Sequence, residues 1–136
     1  EEEAFAEAEK VYRAYNEAVN SERAGDVSAD PLSYLTGAAL EANIATSRHL
    51  DQSGLSLAGK GSVSEFEGSA HKTGPLGEAI ELTTCLDVSA TTVTNDVGED
   101  VTPVDRPTRI RLRVEFIVDD GRLLISDSNV ATDPKC

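Results

Sequence analysis

Near residue 55 the period of the apolar side chains changes from three or four residues to two, and the kind of structure that can bury them changes with it. Before that point Phe5, Ala8, Tyr12, Tyr15 and Val19 recur at alternating spacings of three and four, with Ala4, Val11 and Ala18 widening the stripe. This spacing predicts one long amphipathic helix over residues 4–23. Glu1, Glu2 and Glu3 fall at its amino end, where the helix dipole favours negative charge, and Gly25 can take the left-handed conformation that stops it. Asp30-Pro31 predicts a short helical turn through Leu32, Tyr34 and Leu35. Thr36 is then placed to cap a second helix bearing Leu40, Ile44, Ser47 and Leu50, which Gly54 ends.

After residue 55, β-branched residues, threonine and glycine accumulate, and alternation predicts four antiparallel strands. In the run from Arg109, the residues Ile110, Leu112, Val114, Phe116 and Val118 share one face and the charged residues share the other. Residues 78–88 alternate the same way, with Ile80, Leu82, Thr84, Leu86 and Val88 inward and Glu81, Thr83, Cys85 and Asp87 outward. Pairing these two strands sets Glu81 and Asp87 across from or diagonal to Arg109, Arg111 and Arg113. Ion pairs of this kind are worth a few tenths of a kcal/mol each and set register more than stability. These five residues are the candidate interaction face.

Asp119-Asp120-Gly121 predicts a tight hairpin returning through residues 122–126, and residues 96–100 around Gly98 a looser turn. The first strand, about 55–70, holds Gly59, Gly61 and Gly68, and its apolar Leu55, Leu57, Val63 and Phe66 keep no single parity, which calls for a bulge or strong bend. With 136 residues, 39% of them hydrophobic, the chain suits one domain. The expected class is α+β, with N-terminal helices (about 1–54) packed in a bent four-stranded antiparallel sheet (about 55–130) and a tail, residues 131–136, tethered by a disulfide.

That tether is read from the two cysteines, Cys85 on the polar face of a strand and Cys136 at the last position. A bond between them closes a loop of about 50 residues, which the chain-entropy account values at roughly 4 kcal/mol. The competing reading is a pair of free thiols, with Cys85 activated by the neighbouring arginines. The bond is preferred because a terminal cysteine has no core to fill. It places the chain in an oxidising compartment outside the cytosol, secreted or held at the cell surface. The chain has no methionine, so a leader, lipid anchor or transmembrane segment preceding residue 1 is expected, or a removed tag. It also has no Asn-X-Ser/Thr acceptor, which favours a bacterial source.

The net charge of −13 opposes nucleic acid and anionic lipid surfaces, and no run approaches the roughly 20 apolar residues that span a bilayer. His49 and His71 lie in no ligand-spaced pair, so neither metal nor cofactor is expected, and each histidine reads as an exposed helix-end or loop residue. Lys72-Thr73-Gly74 matches a triplet of penicillin-recognising serine enzymes, but their Ser-X-X-Lys and Ser-Asp-Asn partners are missing and the triplet reads as a polar loop. Asp87 and Asp127 are the best-placed carboxylates, and a structural role is preferred for both. The aromatics read as core, although the hydroxyls of Tyr15 and Tyr34 can face a pocket, with Phe116 as its apolar lining. No catalytic set emerges.

Tyr12-Arg13-Ala14-Tyr15, Tyr34-Leu35-Thr36-Gly37-Ala38-Ala39-Leu40, Cys85-Leu86-Asp87-Val88-Ser89, Asp120-Gly121-Arg122 and Cys136 carry a resemblance over nearly the whole chain. The arrangement resembles the nuclear transport factor 2-like, or cystatin-like, cone. The motifs resemble small actinobacterial secreted proteins and lipoproteins of uncharacterised role, with Leu123 where a tryptophan is expected. The resemblance implies an extracytoplasmic domain held near a membrane. Cone relatives include steroid isomerases, polyketide cyclases and epoxide hydrolases, and also non-catalytic partners of secretion and transport machines, so fold does not choose a function. The missing catalytic set favours a non-enzymatic binding or assembly domain of a cell-envelope protein. Its partner is a protein or an apolar small molecule, and homodimerisation through the charged face is compatible with it. The alternative is a small cone-fold isomerase or hydrolase acting on a hydrophobic molecule, which requires a deep pocket with a buried carboxylate.

Overall fold

The computed structural model describes residues 1–75 and 77–136. Helix α1 (Glu2–Arg23) is followed by a short 3-10 turn (Pro31–Tyr34) and helix α2 (Gly37–Gln52). Six strands follow: β1 (Ser56–Ala58), β2 (Ser62–Gly74), β3 (Gly77–Asp87), β4 (Thr92–Thr94), β5 (Arg109–Asp119) and β6 (Arg122–Val130). Strands β2-β3-β5-β6, in that order, form one antiparallel sheet, while β1 and β4 pair as a separate ribbon. The fold is thus α+β with the helices packed against a four-stranded antiparallel sheet. No helix of the described residues is long and apolar enough to cross a membrane.

The alternation of β3 and β5 builds the core. Ile80, Leu82, Val114 and Phe116 are buried inward, together with Ile125 of β6 and Ala8 and Tyr12 of α1. Thr84 shares that interior, and its hydroxyl donates to the carbonyl of Ser64 at 2.8 Å, so the buried oxygen keeps a partner. Asp120 and Gly121 both take positive φ, 53° and 77°, as a two-residue turn matched to the strand twist requires.

Strand β2 is bent. Its register against β3 shifts between Ser64 and Glu67 and again between Gly68 and Ala70, and Glu65 sits at φ 54°. The bend receives α1. The Phe5 ring lies directly over Gly68, where an added Cβ would come within 2.4 Å of it. Asn16 and Asn20 donate to the carbonyl of Gly61 at 3.1 and 2.9 Å, and the Gly61 N–H donates back to Asn20 Oδ1 at 2.9 Å. The Arg13 guanidinium stacks 4.7 Å from the Phe66 centroid.

Four local expectations are corrected. The first strand is two: Gly59, at φ 86°, turns the chain out of the main sheet, so that β1 pairs with β4 instead. Lys72-Thr73-Gly74 is not a loop but the end of β2, paired with the start of β3. His71 is not exposed; it is half-buried in β2, 2.8 Å from a Glu78 oxygen and edge-on to Phe5. Thr36 occupies the N-cap position, but its hydroxyl makes no capping bond. Its N–H donates to the Ile125 carbonyl at 2.9 Å, which fastens the start of α2 to β6.

Cys85 and Cys136 form a disulfide, their Cα atoms 5.7 Å apart. Cys85 points to the outer face yet is fully buried, because the tail folds over it. The Arg111 N–H donates to the Pro134 carbonyl, the Ala131 N–H to the Arg111 carbonyl and Arg111 Nε to the Lys135 carbonyl, at 2.9, 2.9 and 3.1 Å.

Two stability measurements check this account. The disulfide joins residues 51 apart, so urea unfolding with a thiol reductant should show a loss of about 3–4 kcal/mol against the oxidised chain, and equal midpoints contradict it. Gly59→Ala places a Cβ 2.1 Å from the Ala90 carbonyl oxygen at positive φ and should cost about 2 kcal/mol or more in the same assay.

Candidate functional site

Helix α1 packs on β2, β3 and β6, helix α2 rests on β6, and the two helices barely meet. The cause lies in the residues that α2 turns inward. Ala39, Ala42, Asn43 and Thr46 are small or polar, no residue of α2 is fully buried, and Ile44 remains 41% exposed. A wall of such residues cannot fill the space that leucines would fill, and a groove stays open between the helices.

The groove has two chambers that share Tyr15, Asn43 and Thr46. The inner one, about 230 Å³, is floored by Tyr12, Leu35 and Ile125, with Ser128 beside them. The outer one, about 380 Å³, runs along Tyr15, Val19 and Arg23 on α1, faces Leu50 on α2, and ends on Leu55 and Leu57. Spacings of four put Tyr15, Val19 and Arg23 on one stripe of the helix. Where the chambers meet, Asn43 Nδ2 donates to the Tyr15 hydroxyl oxygen at 3.2 Å, a hydrogen bond that crosses the groove.

Desolvation governs the electrostatics here. Burial pushes the Tyr12 hydroxyl up, nearby Tyr15 adds to this, and the Ser128 hydroxyl opposes it. Burial also raises Tyr15, against the pull of Arg23 and the Asn43 bond. The Arg23 guanidinium is pushed down by its own burial, with Tyr15 and Glu22 opposing. The carboxylates with shifted pKa behave differently. Asp26, Asp87 and Asp100 are held below the usual range by hydrogen bonds from Ser28, Ser89 and Thr102 in surface turns. Among the described residues, no group of three or more His, Cys, Asp or Glu side chains is disposed to hold a metal ion.

Of the residues singled out in the sequence, Tyr15 lines the groove. Tyr34 lies in the 3-10 turn, packed against the core and off the groove walls. Phe116 is fully buried beneath the sheet, and it borders a separate outer-face hollow with Ala79 and Ile117 rather than the groove. The structure therefore does not bring these three together. Tyr12, Arg23, Asn43, Thr46 and Ser128 were missed as site residues; the available signal was the continuation of the α1 stripe into a cation and the small side chains on the inner side of α2.

Glu81, Asp87, Arg109, Arg111 and Arg113 do share the outer face of the sheet. Arg113 lies 3.3 Å from Glu81, and Arg109 lies 3.9 Å from Asp87. Glu65, lifted by the β2 bulge, approaches Arg109 at 2.8 Å and Arg111 at 3.7 Å. Each arginine of this face is paired within it, and the tail covers part of it.

No family model matches the chain, and no curated protein matches it in sequence. Among solved structures it is similar to the intermembrane space region of the chloroplast protein ARC6, with 15% identity and a TM-score of 0.62 over 92% of this chain and 94% of that one. The likeness is one of fold.

Burial of the two tyrosines has a measurable consequence. Their folded-state pKa values exceed the unfolded value of about 10, so the stability they support is intact below that pH and lost as pH rises through the raised values. Urea midpoints should therefore fall above pH about 10, and the Tyr12→Phe/Tyr15→Phe pair should flatten that fall; an equal alkaline fall in the variant rejects burial as its cause.

Proposed function

We propose that this chain is a non-enzymatic binding domain of the nuclear transport factor 2-like type, working outside the cytoplasm at a bacterial cell envelope, and that the groove between α1 and α2 holds an apolar small molecule. The observation that carries the reading is the standing gap between the helices, a concave space that sets Tyr12, Val19, Leu35, Leu50 and Leu57 beside the polar Asn43, Thr46 and Ser128, with the charged Glu22, Arg23 and Asp51 along its outer chamber. The disulfide supports an oxidising compartment. The structural neighbour is likewise named as an intermembrane space region.

A small molecule is favoured over a protein partner because the outer face, the other candidate surface, has its charges satisfied among themselves. Binding is favoured over catalysis on chemical grounds. The inner chamber presents hydroxyl and amide groups, and burial drives its tyrosines toward the neutral form, which suits holding a ligand and gives no base.

The test is a titration with N-phenyl-1-naphthylamine, a neutral apolar fluorophore. The wild-type chain should show saturable enhancement, and Thr46→Trp, at an exposed position common to both chambers, should weaken it at least tenfold while circular dichroism and the thermal midpoint stay unchanged. Enhancement that ignores Thr46→Trp places the probe elsewhere and rejects the reading.

A further inference from the structure

The arginines differ sharply in their company. Arg13 binds Glu9, Arg106 binds Thr91, Arg122 binds the Ser33 carbonyl, and Arg109, Arg111 and Arg113 bind the acids of the outer face. Arg48 is exposed to water. Arg23 is half-buried in the wall of the outer chamber, and among the described residues its guanidinium has neither an ion-pair partner nor a side-chain hydrogen bond. A guanidinium presents five donors in a rigid fork, so a half-desolvated one facing an open cavity is a site for a planar acceptor.

We infer, resting on the groove reading above, that the ligand is a single-chain amphiphile bearing one carboxylate, its headgroup on Arg23 and its body along Val19, Leu50, Leu55 and Leu57. Carboxylate and guanidinium match in two parallel hydrogen bonds, stronger than any neutral headgroup offers. Val19 lies between Arg23 and Tyr15 on the α1 stripe, so the apolar body lies along that stripe, beside the Tyr15–Asn43 bond where the two chambers meet. The rim sets an upper limit on charge. Glu22 and Asp51 stand exposed at the mouth and the whole chain carries −13, so each further negative charge on a ligand meets repulsion that a single carboxylate, paired at Arg23, escapes.

The test uses the oxidised full chain with decanoate, decanol and decyltrimethylammonium below their micellar concentrations, read by isothermal titration and by amide shifts in NMR. Decanoate should bind at least tenfold tighter than decanol, and decyltrimethylammonium no tighter than decanol. Arg23→Gln should erase the decanoate advantage and leave decanol affinity intact, which also shows that the variant is folded. Equal affinity for decanoate and decanol, or an advantage that survives Arg23→Gln, overturns the inference while leaving the groove reading in place. Tighter binding of decyltrimethylammonium overturns it too, because the rim acids then dominate. Binding of none of the three rejects both.

Discussion

The bend of β2 decides where everything else can go. A flat strand would hold α1 at the ordinary helix-to-sheet distance along its whole length. Here the bulge at Glu65 and the missing side chain at Gly68 let the Phe5 end of α1 settle onto the strand, while Asn16 and Asn20 fix the other end to Gly61. With α1 committed to the β2 side of the concave sheet, α2 must cover the β6 side. Thr36 and Leu35 fasten it there, and the space between the helices is the remainder.

That remainder is kept by composition. Larger apolar residues at Ala39, Ala42, Asn43 and Thr46 would add roughly 0.8 kcal/mol per buried methylene and draw α2 onto α1. The chain forgoes this burial along most of a 16-residue helix. The disulfide on the opposite face of the sheet supplies stabilisation of the size that such an open interior lacks, and it does so through the unfolded state, without filling the groove. Stability and cavity are therefore separated in space: the tail clasp sits on the outer face at Cys85, and the groove opens on the inner side.

Most of the fold was legible because single faces are buried. Strands β3 and β5 are read correctly in phase, since a one-residue slip would expose Phe116 and Val114. The Cys85–Cys136 bond and the Asp120-Gly121 turn were likewise visible, each resting on chemistry that has few alternatives. What stayed hidden depends on contacts between distant segments. Nothing near Gly59 says that Ala90 will press against it and send β1 to a second ribbon. His71 looks like a loop residue until Phe5 and Glu78 arrive from elsewhere. Tyr34 and Tyr15 look equivalent in sequence, and only the placement of α2 sends one to the groove and leaves the other in the core rim.

The groove itself was readable only in the negative. Leu40 and Leu50 on α2 suggest an ordinary amphipathic helix, and the stripe fails to close because the groove-facing residues between them are small or polar. A helix with such a face is underpacked wherever it lies, so the absence of large side chains is the signal, and Arg23 gives it chemical sense. In a chain this acidic, the half-buried Arg23 makes no ion pair among the described residues, although Glu22 and Asp51 line the same chamber, and it costs desolvation energy that water at the surface would have spared. The rest of the molecule pairs its partly buried arginines, even through a backbone bulge at Glu65 that lifts an acid to reach two of them. The same fold therefore has the means to quench a guanidinium and uses it on the outer face, while at the groove mouth it leaves the donors free.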